Sequence, residues 1–71
     1  MIIEPNKVIM HQRTGAIETI ISKCIIKQNG EWIDGVVYKG EDRYTGKPMV
    51  FVRELNDFNN EFIEVTQNDN I

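Results

Sequence analysis

Seventy-one residues with eight basic and eleven acidic side chains, a net charge of −3 and one cysteine allow a single small domain, which buries only about 60% of its unfolded surface. That excludes a two-domain enzyme with a deep cleft, and the lone Cys24 excludes an internal disulfide framework. No apolar run approaches the roughly 20 residues of a membrane span, and Met1-Ile2-Ile3 gives way at once to Glu4 and Pro5 instead of a secretory apolar core, so a soluble cytoplasmic domain is expected.

Between Lys7 and Val65 the pattern is that of strands: Ile and Val recur, Ala occurs once, and no apolar stripe holds helical spacing. A first strand fits Lys7 to His11, with Val8 and Met10 on one face and Ile9 on the other. Arg13-Thr14-Gly15 supplies a turn. A long second strand runs from Ala16 to Lys27. Its apolar residues change parity midway, from Ile17 and Ile21 to Cys24 and Ile26. A strand of period 2 changes face only with an extra residue, so a bulge or bend is expected near Ile20–Ser22.

Asn29-Gly30 between apolar-rich segments fits a type I′ turn, which demands positive φ at both central residues. Cys24–Gln28 should therefore pair antiparallel with Glu31–Lys39. In that third strand Gly35 marks a bulge or a close backbone crossing. Gly40 to Pro48 reads as an irregular, charged loop, and Met49–Arg53 as a fourth strand. Leu55, Phe58 and Phe62 then follow at spacings of 3 and 4, a helical turn capped by Asn56 or Asp57. Phe62–Val65 alternates as a last short strand, and the polar Gln67–Ile71 reads as a frayed tail. Five strands, a bent second one and a helical turn before the fifth describe a mainly β fold, a small SH3-like barrel over residues 1–66. An OB-fold ranks second, because its helix usually falls between the third and fourth strands.

The segments H-x-x-T-G (His11, Thr14, Gly15), G-x-W…V-V-Y (Gly30, Trp32, Val36, Val37, Tyr38) and V-R-E-L-x-D-F-x-x-x-F (Val52 to Phe62) resemble a family of short phage and bacterial proteins with an SH3-like β fold. The likeness spans about Val8 to Val65 and rests on core and turn positions. The chain departs from the simplest members by a longer Gly40–Pro48 insertion and by Leu55 where many relatives have Pro. The resemblance implies a phage-derived accessory protein and carries over no activity.

Charge is polarised. All eight bases lie between Lys7 and Arg53, whereas Glu54 to Ile71 holds five acids and no base. Strong non-specific nucleic-acid binding, which grows with the number of phosphates neutralised, is disfavoured. Cys24 among isoleucines reads as a small buried hydrophobe, not an activated thiol. His11 reads as a strand end in partial solvent. A Cys24–His11 nucleophilic pair lacks a third orienting group. The carboxylate pairs Glu41–Asp42 and Asp57–Glu61 read as solvated charge.

Phe51, Phe58 and Phe62 are assigned to the core. Trp32, Tyr38 and Tyr44 carry polar handles beside turns, Arg43 and Lys47 flank Tyr44, and Arg53 shares a strand face with Phe51. Trp32, Tyr38, Arg43, Tyr44, Lys47 and Arg53 are thus the candidate binding residues, set for a phosphate-bearing ligand or a protein surface. The expected function is non-enzymatic: binding and modulating a host protein, with no cofactor, no metal and no membrane contact. The acidic C-terminal third would suit a basic, nucleic-acid-handling partner. Sequestration of an anionic nucleotide by an oligomer is the competing expectation, a nucleic-acid-binding module the third, and a homodimer through an unpaired Lys7–His11 edge is a further expectation.

Overall fold

A computed structural model describes residues 1–66 as one antiparallel five-stranded sheet carrying one short helix. The strands are β1 (Val8–His11), β2 (Ile17–Gln28), β3 (Glu31–Glu41), β4 (Pro48–Glu54) and β5 (Phe62–Glu64), and the helix is α1 (Leu55–Glu61). Their order across the sheet is β4-β3-β2-β1-β5. Among the described residues no ladder joins β4 to β5, so the sheet is open. The expected tail, 67–71, lies outside the described residues.

Turn chemistry sets the register. Asn29 and Gly30 adopt φ of 51° and 81°, and Gln28 pairs with Glu31 across them, as a type I′ turn requires. The parity change in β2 is a true irregularity: Ile20 pairs with Tyr38 and Ser22 with Val37, leaving Ile21 over. Before it Ile20 points into the core. After it the even positions Cys24 and Ile26 change sides and join the face that carries Ile17. Gly35 is neither bulged nor crossed by backbone, since the register is unbroken there. Its hydrogen makes room for side chains: a Cβ would stand 2.6 Å from Ile26 Cδ1 and 2.9 Å from Cys24 Sγ.

Among the described residues, all the fully buried side chains lie on one side of the sheet. Ile9, Ile20, Val36, Tyr38, Phe58 and Phe62 pack together with Ile3, and Phe51 and Leu55 close the margin half-buried. Helix α1 lies across this side, and Phe58 is its one buried residue. Phe58 stacks on Phe62 with centroids 4.7 Å apart, and Tyr38 packs at 5.5 Å from Phe58 and 5.4 Å from Phe51. The helix is longer than the single turn expected, and Glu54, not Asn56 or Asp57, occupies its N-cap, without a side-chain hydrogen bond. It ends where Phe62 turns extended, its N–H donating to the Phe58 carbonyl, so that Phe62 opens β5 against His11.

The Gly40–Pro48 stretch is strand at both ends. Gly40 pairs with Met49 and Glu41 with Pro48, leaving only six residues, 42–47, as a turn. Pro48 is tolerated as the first residue of an edge strand. Gly40 is required by close approach: a Cβ there would meet Glu18 Cγ at 2.7 Å. The first strand is not an edge. β1 pairs with β2 on one side and β5 on the other, which removes the Lys7–His11 edge as a dimer contact.

Candidate functional site

The 42–47 turn is fixed by its own polar groups. Asp42 Oδ1 accepts the N–H groups of Tyr44 and Thr45 at 2.8 and 3.0 Å. The Asp42 N–H donates to the Lys47 carbonyl and the Gly46 N–H to the Asp42 carbonyl, both at 2.8 Å. The Lys47 N–H donates to Thr45 Oγ1 at 3.2 Å. Gly46, at φ 71°, supplies the left-handed residue that closes the turn. The N–H bonds from Tyr44 and Thr45 favour the ionised carboxylate and hold Asp42 below the usual carboxylate range. On this frame Tyr44 stands 87% exposed, and the Arg43 guanidinium lies 5.7 Å from its ring centroid.

Tyr38 and Arg53 belong to the helix side of the sheet. Arg53 Nε donates to the Tyr38 hydroxyl at 2.8 Å, and Nη1 donates to Asp57 Oδ2 at 2.7 Å. The guanidinium also lies 5.5 Å from the Phe62 ring centroid. One arginine thus ties β3, β4 and α1 together. Burial pushes the Tyr38 phenol above its ordinary value, against the opposing pull of Arg53. Glu18, beside Gly40, is raised by burial in the same way and drawn back in part by Arg53. Its Oε2 is buried without a hydrogen-bond partner.

Trp32 lies at the other end of β3 from the 42–47 turn, roughly 30 Å away at about 3.3 Å per strand residue. It is exposed, with Lys27 Nζ 5.0 Å from its ring centroid. It borders a shallow open cleft of about 300 Å³ with Asp34, Leu55 and Asn56. Of the six candidate binding residues, the structure brings Arg43 to Tyr44 and Tyr38 to Arg53, holds Lys47 in the turn, and sets Trp32 apart. They line no common pocket among the described residues.

The remaining polar candidates fall differently from the sequence reading. His11 is buried, not half-solvated, with its ring edge-on to Phe62 at 4.9 Å. Its Nδ1 accepts the Thr14 N–H at 3.3 Å, which places the ring proton on Nε2. That atom lies 3.3 Å from Glu61 Oε2 but off the line of a hydrogen bond. Cys24 is only half-buried and sits on the sheet face opposite His11. Asp57 and Glu61 do not act as a solvated pair: Asp57 holds Arg53 and Glu61 faces His11. Glu64 pairs with Lys7 at 2.7 Å.

The register defines one further surface, which residue-by-residue inspection of the sequence missed. Opposite the helix, Ile63, Met10 and Ile17 form one row across the sheet, Val8, Thr19, Lys39 and Val50 a second, and Val37 with Val52 a third. None of the described residues covers them. Ile17, Val50, Val52 and Ile63 are between 43% and 60% exposed. The unbroken Val50-Phe51-Val52 run was the available signal, because a strand apolar at both parities is apolar on both faces. Among the described residues no helix is long and apolar enough to cross a membrane. Set against protein-family models, curated proteins and solved structures, the chain matches none.

Proposed function

We propose that the protein is a non-enzymatic binding module that occupies the surface of a partner protein, with Tyr44 as the anchor. The observation that carries this reading is the 42–47 turn, in which backbone and Asp42 hydrogen bonds fix the loop while the Tyr44 ring stands in solvent beside Arg43. A rigid turn has already lost the entropy that a mobile loop would lose on binding. Tyrosine and arginine are among the side chains most enriched where binding energy concentrates, together with tryptophan. Lys47 adds a second cation at the same tip, so the partner surface is an apolar hollow rimmed by acidic groups.

The strand order, the irregularity in β2, the helix between β4 and β5 and the return of β5 onto β1 support an SH3-like class, here with its sheet left open. The resemblance to short phage and bacterial proteins supports an accessory role in which masking a host protein is the whole activity. The test places a photo-crosslinking amino acid at position 44 and, separately, at Gln12. Light should capture one protein from host extract at position 44 only, and Tyr44→Ala and Asp42→Ala should each weaken that partner's binding at least tenfold with the fold intact. Unchanged affinity in Tyr44→Ala overturns the reading. Nucleotide released on heating the purified protein, and lost in Arg43→Ala, replaces it with sequestration of an anionic ligand.

A further inference from the structure

We infer that the open edge of β4 pairs antiparallel with the same strand of a second copy of this chain, joining two sheets into one. The inference goes beyond the Tyr44 reading and does not rest on it.

The turns fix where the backbone groups of β4 point. In an antiparallel ladder successive residues turn their N–H and C=O groups to alternate sides. Gln28 and Glu31 close a two-residue turn, so the odd residues of β3 bond to β2 and the even ones to β4. The Asp42 N–H, which donates to the Lys47 carbonyl, has the same parity. Val36, Tyr38 and Gly40 therefore bond Arg53, Phe51 and Met49, and Val50, Val52 and Glu54 turn their N–H groups away from the sheet. Among the described residues no strand lies on that side of β4.

The sheet has three open edges, and this one is the least protected. β5 is three residues long. β1 pairs with β2 only as far as Thr19, so the far half of β2 is also an edge. There the outward groups belong to Lys23, Ile25 and Lys27, and edge lysines discourage pairing. β4 runs for seven residues, and Met49-Val50-Phe51-Val52 is apolar without interruption. Phe51, at the margin of the core, is half-buried.

The ends of β4 select the second copy. Pro48 has no N–H to give. Glu54 is the N-cap of α1, and an N-cap carbonyl already accepts the first helical bond. Two-fold pairing about Phe51 sets these two residues opposite each other at both ends. The Glu54 N–H of one copy then donates to the Pro48 carbonyl of the other, and the donor that Pro48 lacks faces a carbonyl already taken. Between them Val50 and Val52 exchange bonds with Val52 and Val50 of the second copy. Sliding one copy by two residues sets Pro48 against Val52 or runs it into α1, so the match holds in one register.

Side chains agree with that register. Phe51 meets its own counterpart in a non-hydrogen-bonded pair, where side chains approach closely. Met49 meets Arg53, and no two like charges stand directly opposite. Glu41, beside Pro48 on the uncovered face, is two strand spacings from Glu54 of the second copy, about 10 Å, beyond the Debye length of about 8 Å. The contact is narrow, under the roughly 1,200 Å² of a stable interface, so the pairing is weak and the copies exchange.

Sedimentation velocity from about 5 to 500 μM tests this. The expected result is a concentration-dependent shift from the 8.3 kDa chain toward twice that mass. Val52→Pro removes an N–H that the single chain does not use, at an edge position where proline is tolerated. It should weaken association about tenfold or more, with amide dispersion showing the variant folded. In the wild type, the Val50 and Val52 amides should exchange fast in dilute solution and slowly in concentrated solution, while the Phe51 amide stays protected in both. A monomer at about 500 μM overturns the inference without reference to any variant. So does a dimer in which the Val50 and Val52 amides gain no protection, or one that a folded Val52→Pro variant forms equally well.

Discussion

Truncating Phe58 to alanine removes the one side chain through which α1 enters the core. A buried phenylalanine takes at least about 150 Å² from water, which at about 25 cal/mol per Å² is close to 4 kcal/mol. Alanine retains part of this, and loss of the stacking on Phe62 and the contact with Tyr38 adds about 0.5–1.5 kcal/mol each. The net figure, about 3–5 kcal/mol, agrees with the usual cost of Phe-to-Ala changes in cores. At about 0.05–0.15 kcal/mol per residue, a chain of this length holds roughly 4–11 kcal/mol in all, so Phe58→Ala removes about a quarter of it or more. Urea unfolding at fixed protein concentration, followed by far-ultraviolet circular dichroism because Trp32 is too exposed to report on the core, should show the midpoint falling by several molar at a slope near 1 kcal/mol per molar. Phe58→Leu, which fills most of the volume, should cost under about 2 kcal/mol. A Phe58→Ala loss below about 1 kcal/mol would mean that α1 is not docked as described, and the packing argument would fail with it.

Glu18→Gln should stabilise the protein at pH 7, by under about 1 kcal/mol after allowance for solvent screening. Burial raises the folded-state pKa of Glu18, so wild-type stability falls as pH rises through that value. The advantage of Gln should therefore vanish once the medium is more acidic than the unfolded glutamate range, and thermal melts at pH 3.5 and 7 check this. Gly30→Val forces a β-branched residue to φ 81° at about 1–2 kcal/mol, or roughly 4–8 °C of melting temperature per kcal/mol; an unchanged melt would refute the type I′ geometry. Gly40→Ala sets a Cβ 2.7 Å from Glu18 Cγ. It should cost about 1–3 kcal/mol, with most of that recovered in the Glu18→Ala double variant, so additive losses in a double-mutant cycle would deny the contact.

Much of the strand plan was legible because local chemistry dictated it. Asn29-Gly30 admits few conformations other than the hairpin turn, the parity change between Ile17 and Cys24 forces an extra residue near Ile21, and the spacing of Leu55, Phe58 and Phe62 marks one side of a helix. Where the reading fell short, the deciding partner was distant in sequence. Gly40 looked like a loop residue because glycine usually punctuates, yet it is a strand residue whose missing Cβ accommodates Glu18. His11 looked half-solvated until Phe62 and Glu61, some 50 positions away, enclosed it. Alternation also gives the parity of a strand without saying what lies over each parity. Phe51 and Val52 are equally apolar, but the helix covers the side of Phe51 and leaves Val52 in water. The turn residues Arg43, Tyr44 and Lys47 were legible as exposed; that Asp42 fixes their frame was not, because an acid followed by polar residues has many alternatives.

The account as a whole depends on a sheet with one face sealed by α1 and the other left in solvent. Methyl-labelled isoleucine and valine resonances, recorded with a soluble paramagnetic probe, test that division directly. Ile9, Ile20 and Val36 should stay protected, whereas Ile17, Val50, Val52 and Ile63 should broaden strongly. Equal broadening of both sets would contradict the sealed face.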